Sequence, residues 1–323
     1  MALRLSPLGF GAAPIAGLYA AVDEDTAAAT VDAAWAEGVR YFDTAPHYGL
    51  GVSERRLGAA LAHRPRAEFV VSTKAGRLLV PDDGGGDDDS GGFAVPATHR
   101  RVWDLSRDGI RRSLDDSLAR LGLDRVDVLY LHDPEDRLDE ALATALPALA
   151  ELRAEGAVTA VGAGSKDAAA LARLVRTGGL DVVMVAGRYT LLEQPALDDL
   201  FPACAAAGTE VVAAGVFNSG LLAAPEPDPG GTYEYGAVPP AVLARARDLA
   251  AVCAQHDAVL PQVALQFPLR HPLVRSAVVG MRSPAEVRQN AARLGAPVHD
   301  ELWAALAERG LIPAGGASAA AAP

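Results

Sequence analysis

Short runs of β-branched and aliphatic residues recur along the chain, and between them apolar residues return every three or four positions. The runs predict strands over residues 8–11, 40–43, 68–72, 126–131, 158–161, 182–185, 210–213 and 276–279. The longer stretches predict helices over 25–37, 53–62, 105–121, 139–155, 167–177, 195–207, 240–256 and 284–294. Ser53 and Asp167 stand where N-caps belong, and Gly38, Gly122, Gly156, Gly178 and Gly208 follow helix ends as left-handed C-caps do. Strands alternating with helices pair in parallel through βαβ crossovers, and eight such units are what a (β/α)8 TIM barrel needs. A doubly wound open sheet is the rival, but its dinucleotide fingerprint is incomplete. Gly9-Phe-Gly11 starts a G-x-G with proline at position 14, and Gly162-Ala-Gly164 stops equally short. One barrel domain over 1–313 is expected, followed by a low-complexity, disordered tail over 314–323.

Two segments break the rhythm. Residues 81–97 carry five aspartates and five glycines, a composition that predicts a mobile, solvated loop, a disordered insertion rather than a lid. Residues 223–238 are rich in Pro and Gly and hold Tyr233 and Tyr235. Near the N-terminus, Arg4 precedes an apolar stretch that superficially matches a signal peptide, yet Gly9, Gly11, Pro14 and Gly17 interrupt it. No other stretch approaches the roughly 20 apolar residues of a membrane helix. The 29 basic and 41 acidic side chains give a net charge of −12, the wrong sign for a nucleic-acid partner. Two cysteines, Cys204 and Cys253, make no disulfide framework and suit a reducing compartment. A soluble cytoplasmic protein is expected, with no membrane partner. Its helical surfaces show no apolar seam, which leaves the oligomeric state open.

In a parallel barrel, chemistry gathers where the strands end. Those ends supply Asp43 after the second strand, Tyr48 in the loop that follows, Lys74 after the third strand and His132 after the fourth. Each alone suits an ordinary structural role. Together they make a proton-transfer set. Tyrosine titrates near 10 in water, and the Lys74 ammonium is expected to lower the value of Tyr48. Asp43 would hold Lys74 charged, and His132 would orient a substrate oxygen. No metal-ligand spacing occurs, so Tyr48 and His132 would polarise a carbonyl or carbinol without an ion.

The stretch Gly38-Val-Arg-Tyr-Phe-Asp-Thr-Ala-Pro-His-Tyr-Gly49, then Ser53-Glu54 and Leu57-Gly58, resembles the signature of the aldo-keto reductases. Val71-Ser-Thr-Lys74, Asp127-Val-Leu-Tyr-Leu-His132 and Val279-Gly-Met-Arg-Ser-Pro284 match further family segments in order. The resemblance runs from about Leu8 to Asn290. It implies a (β/α)8 barrel of aldo-keto reductase type that binds a nicotinamide dinucleotide, with the tetrad Asp43, Tyr48, Lys74 and His132, and Tyr48 as the acid–base. Cofactor contacts carried over by position fall on Gly164, Ser165, Phe217, Asn218, Ser219, Gly220, Gly280, Arg282, Ser283, Glu286, Gln289 and Asn290. The family's Gln after strand six falls at Ala186, and its Asn beside Ser165 is absent, so two side-chain partners of the nicotinamide amide are lost.

NADPH-using members of the family carry a basic residue at Gly280 and an arginine at Glu286. A carboxylate there repels a 2′-phosphate and suits ribose hydroxyls, so NAD is preferred to NADP, although Arg282 could reach a phosphate. Arg188-Tyr-Thr-Leu-Leu192 and Phe217-Asn-Ser-Gly-Leu-Leu222 resemble the branch with L-fucose and D-threo-aldose 1-dehydrogenases and pyridoxal 4-dehydrogenase. That branch implies oxidation of a small sugar or aldehyde, as a cyclic hemiacetal, to a lactone. His47, Arg188, Tyr233 and Tyr235, with Trp103, are candidates to border the substrate. The alternatives are a general NADPH-dependent aldehyde or ketone reductase, and a nucleotide-binding redox-sensing or regulatory subunit.

Overall fold

In the computed structural model, residues 3–82, 84–88, 92–234 and 236–314 are described. Eight strands close into a parallel barrel: β1 (Leu8–Gly11), β2 (Tyr41–Asp43), β3 (Val70–Ala75), β4 (Val128–His132), β5 (Ala160–Ser165), β6 (Val182–Ala186), β7 (Glu210–Ala214) and β8 (Val274–Gly280). Each pairs with its neighbours in chain order, and β1 closes the ring on β8 with Leu8 opposite Ala277. The open-sheet alternative is thereby removed. The apolar run that resembles a signal peptide contains β1, a fully buried wall of the barrel.

Buried on both faces, the strands carry few polar residues. Tyr41, Val128, Tyr130, Ala160, Val182, Met184, Val212 and Val278 fill the interior, while the outward faces pack beneath the helices. Gly162 is required there. A Cβ on it would lie 2.2 Å from the Val182 carbonyl oxygen and 2.7 Å from the Tyr130 ring.

The helices are α1 (Glu24–Ala36), α2 (Val52–Leu61), α3 (Arg107–Leu121), α4 (Leu146–Ala154), α5 (Ala168–Arg176), α6 (Leu200–Ala207), α7 (Pro240–Gln255), α8 (Leu260–Gln266), α9 (Pro284–Gly295) and α10 (Asp300–Glu308). Asp167 caps α5 through the Ala170 N–H, as expected; the α2 cap is Gly51 rather than Ser53, whose buried hydroxyl instead donates to the Ala12 carbonyl. The helix predicted over 240–256 is present as α7, but a second helix, α8, also stands between β7 and β8; α8 packs beside α9, while α7 lies against α8 and α10. Short and buried along almost its whole length, α8 lacks the polar face from which helical period is read.

The Asp/Gly-rich segment also differs from expectation. Arg77–Pro81 pairs antiparallel with His99–Trp103, and Asp87–Asp88 with Phe93–Pro96. Phe93 and Val95 are buried against Ala16, Leu18, Tyr48 and Val52, while Ala94 and Pro96 face outward. Ala94 N–H donates to the Gly17 carbonyl (2.9 Å) and Tyr19 N–H to the Gly92 carbonyl (3.2 Å), which ties this ribbon to the loop after β1. It is a packed element beside the mouth of the barrel. The predicted tail lies, from residue 315 onward, outside the described residues. No helix among the described residues is long and apolar enough to cross a membrane.

Candidate active site

Three adjacent strands and the loop after β2, which carries Tyr48, deliver the four predicted residues to one rim. Asp43 ends β2, Lys74 is the fifth residue of β3 and His132 ends β4. The Lys74 ammonium, 2% exposed, donates to Asp43 Oδ2 (2.7 Å) and to the Thr44 carbonyl (2.9 Å). The other Asp43 oxygen accepts from Ser72 Oγ (2.7 Å); Tyr41 OH lies 3.0 Å from that hydroxyl and 3.2 Å from Tyr130 OH. Asp43 is therefore held from both sides. Lys74 Nζ stands 4.6 Å from the Tyr48 ring centre, and the rings of Tyr48 and His132 meet edge to face at 5.8 Å.

Burial decides the charges. It pushes the Tyr48 phenol up to about 12, although the Lys74 ammonium pulls the other way. The expected lowering is thus a real contribution that desolvation outweighs. Burial also works against the charge of Lys74, but Asp43 and Tyr48 offset it and hold the ammonium above the ordinary lysine value. His132 is kept neutral, first by burial and then by the charges of Lys74, Arg77 and Arg101, and His47 is driven down to about 2 for the same reasons. The site at neutral pH holds a phenol, an ammonium paired to a carboxylate, and two uncharged imidazoles.

Tyr48, Lys74 and His132 open onto a cavity of about 640 Å³, which His47, Phe93, Asp133, Gly164, Ser165 and Met184 also line. A second cavity of about 440 Å³ adjoins it, and Pro14, Leu18, Lys166, Ala186, Gly215, Val278 and Gly280 belong to both. Phe217, Asn218, Ser219, Gly220, Gly280, Arg282, Glu286, Gln289 and Asn290 line this second arm. Ser283 lines neither; its hydroxyl caps α9 by accepting from the Glu286 N–H at 3.2 Å. Ser165 Oγ is engaged, donating to Glu135 Oε2 and accepting from the Asp167 N–H, both at 2.8 Å.

Of the residues expected to border substrate, His47 lies in the catalytic cavity. Arg188 and Tyr233 line neither cavity. Arg188 pairs with Glu234 (3.0 Å), and Tyr233 OH donates to Glu193 Oε1 (2.9 Å), so both brace the long loop after β7. Trp103 stacks under the Arg77 guanidinium at 4.6 Å. Tyr235 lies outside the described residues. Phe93, Asp133 and Lys166 line the cavity without having been singled out in the sequence; the alternation of Phe93-Ala-Val95-Pro was the available signal for the first of them.

The second arm suits an elongated, doubly charged phosphate ligand. Gly215, Asn218, Ser219 and Gly220 all have positive φ, a tight turn closed by the Asn218 N–H on the Gly215 carbonyl (2.9 Å) and the Gly220 N–H on the Phe217 carbonyl (3.0 Å). Lys166, Arg282 and Arg293 add cationic heads, the first two paired with Glu234 and Glu286, and the buried Asn218 Oδ1 has no partner among the described residues. These residues fit a nicotinamide dinucleotide laid from the catalytic rim toward α9. Glu286 accepts from the Arg282 N–H (2.9 Å) and pairs with Arg282 Nε (3.0 Å) at that far end.

The aldo/keto reductase family profile matches residues 7–309. The chain belongs to that family. It is an oxidoreductase that works with a nicotinamide cofactor. A D-threo-aldose 1-dehydrogenase from a Pseudomonas species is 55% identical over 315 residues, 96% of either chain. Pyridoxal 4-dehydrogenase from Microbacterium luteolum is 38% identical, covering 96% of this chain and 95% of its own. Among solved structures, an aldo-keto reductase from Bacillus halodurans in its holo form superposes with a TM-score of 0.73 at 26% identity, covering 98% and 94% of the two chains. In this reductase-family barrel, then, the rim and the cleft occupy the end of the fold where barrel enzymes act.

Proposed function

We propose that this enzyme oxidises an aldose, as its cyclic hemiacetal, to a lactone with NAD. The likeness to D-threo-aldose 1-dehydrogenase carries the substrate class. Tyr48 takes the proton from the anomeric hydroxyl. When bound, the nicotinamide supplies the two-electron acceptor for the carbinol carbon. Because the Tyr48 phenol sits at about 12, only its small ionised fraction acts as base, and the adjacent Lys74 ammonium favours that fraction. Asp43 keeps Lys74 charged and in place. Neutral His132 offers its single ring N–H to the substrate oxygen and so fixes the carbinol over the phenol. Ser72 locks the Asp43 carboxylate and thereby the direction of the ammonium.

The preference for NAD rests on the far end of the cleft. A side chain at position 280 would start with its Cβ 2.8 Å from the Pro14 ring, so the basic residue of NADPH-using relatives has no room. Glu286 brings a carboxylate there and already engages Arg282, the cation best placed for a 2′-phosphate. A phosphate about 4 Å from that carboxylate is disfavoured by roughly 4 kcal/mol at an effective dielectric near 20, and solvent cuts the figure severalfold. A cytoplasmic setting goes with this chemistry, and both cysteines, Cys204 and Cys253, are free and buried.

The test follows absorbance at 340 nm with purified enzyme, NAD or NADP, and L-fucose, D-arabinose, other aldoses and pyridoxal. A rise with NAD and an aldose is expected. Activity with pyridoxal alone would move the substrate class. Consumption of NADPH by simple aldehydes, with no oxidation of aldoses, would overturn the proposal in favour of a general reductase.

A further inference from the structure

Beside the tetrad stands a second polar group that the proton-transfer chemistry does not use. Asp133 follows His132 and lines the catalytic cavity with its side chain 32% exposed. Its Oδ2 accepts from Arg77 Nη2 (3.0 Å), while no hydrogen bond reaches its Oδ1 from the described residues. The other arm of the same guanidinium meets His47 Nδ1 at 3.3 Å. Arginine can only donate, so Nδ1 is the acceptor and the proton of neutral His47 resides on Nε2. That N–H also has no partner among the described residues. Arg77 itself does not line the cavity. It lies behind both residues, stacked on Trp103, at the start of the ribbon. Arg101 secures the same corner, donating to the His47 carbonyl (2.9 Å) and pairing with Asp88.

We infer that Asp133 Oδ1 and His47 Nε2–H form a subsite for the ring hydroxyls of a polyhydroxylated substrate, with Arg77 as the positioning residue behind both. This rests on the aldose oxidation proposed above and adds what recognises the sugar. A vicinal hydroxyl pair needs one acceptor and one donor on the same wall, and the two residues that Arg77 bridges in the cavity lining offer one of each. The carboxylate–hydroxyl bond is charge-assisted and lies in a partly buried wall, where such bonds are strongest. A substrate without hydroxyls leaves both groups without that pairing, and sites built around a hydroxyl reject analogues lacking it. His132 Nε2 lies 3.5 Å from Asp133 Oδ2, which raises a rival role: holding the imidazole rather than the sugar. At that length the contact is weak, and the Arg77 bond is the shorter one.

The experiment compares two hemiacetals, an aldopyranose that the enzyme oxidises and 2-hydroxytetrahydropyran, which has the same ring and anomeric hydroxyl but no others. Asp133→Asn is the variant of choice, because Asp133 has φ of 43° and asparagine tolerates that left-handed conformation. The variant is expected to lower kcat/KM for the aldopyranose about 10- to 100-fold. The value for 2-hydroxytetrahydropyran should stay within about threefold, with an unchanged pH profile and an unchanged NAD dissociation constant. Arg77→Met should give the same split in weaker form. Equal losses on both hemiacetals, or a shifted pH profile with the plain one, would assign Asp133 to His132 and overturn the subsite. No loss on either would also overturn it. Wild-type enzyme that oxidises neither compound would instead sink the aldose proposal, and the subsite with it.

Discussion

A phenol pushed up to about 12 beside an ammonium sets a distinctive pH behaviour at Tyr48. Ionisation of the phenol grows as pH rises toward that value, so oxidation should accelerate while reduction, which draws on the protonated form, stays level. We expect kcat/KM for oxidation to rise about tenfold per unit between roughly pH 7.5 and 9.5. Tyr48→Phe should lose at least about 100-fold in oxidation, together with that slope, while still binding NAD. A profile peaking near pH 7, or a Phe variant within tenfold of wild type, would give the proton to another group. At the other end of the cleft, Glu286→Gln releases Arg282 and removes the carboxylate. The ratio of kcat/KM for NADP to that for NAD should climb at least about tenfold, and an unmoved ratio would strip Glu286 of its part in cofactor choice. The positions of Asp43, Tyr48, Lys74 and His132 could be read from the predicted strand ends, the loop after the second strand and the family resemblance. The sign of the Tyr48 shift could not, because desolvation depends on how much chain closes over the ring, and Phe93, one residue that does so, comes from a segment whose composition predicts solvent.

Elements meet here through a few tight contacts between backbones. Gly58 in α2 faces the end of α3, and a Cβ there would stand 1.9 Å from the Leu121 carbonyl oxygen. Gly58→Ala is expected to cost at least about 3 kcal/mol and to lower Tm by roughly 5 °C, measured by circular dichroism, with the catalytic constants of the folded fraction unchanged. A melting point within a degree of wild type would mean that the two helices slide apart freely. At this scale the strands were legible, since β-branched runs between turn residues have few other uses. The ribbon was not. Its aspartates and glycines dominate the count, but two alternating side chains, Phe93 and Val95, and the backbone bonds to Gly17 and Tyr19 decide where it packs. The helix α8 was missed for the opposite reason, being apolar nearly all round and only seven residues long.

The cleft draws on both ends of the molecule, from Pro14 and Leu18 after β1 to Gly280 in β8 and Asn290 in α9. Binding therefore reports on the closed barrel as a whole. NAD at about 100 times its dissociation constant should add roughly 2.7 kcal/mol to the stability of the folded state and raise Tm by several degrees in a single transition. NADP at the same concentration should raise it less. Equal shifts would remove the discrimination proposed for the α9 end. The same closure bears on how the protein is made. Leu8 finds its partner in Ala277, about 270 residues later, so β1 leaves the ribosome long before β8 exists. At about 5–20 residues per second that interval is roughly 13–54 s. Throughout it the nascent sheet carries two unpaired edges, and the yield of active enzyme depends on keeping them from other chains until the last strand arrives.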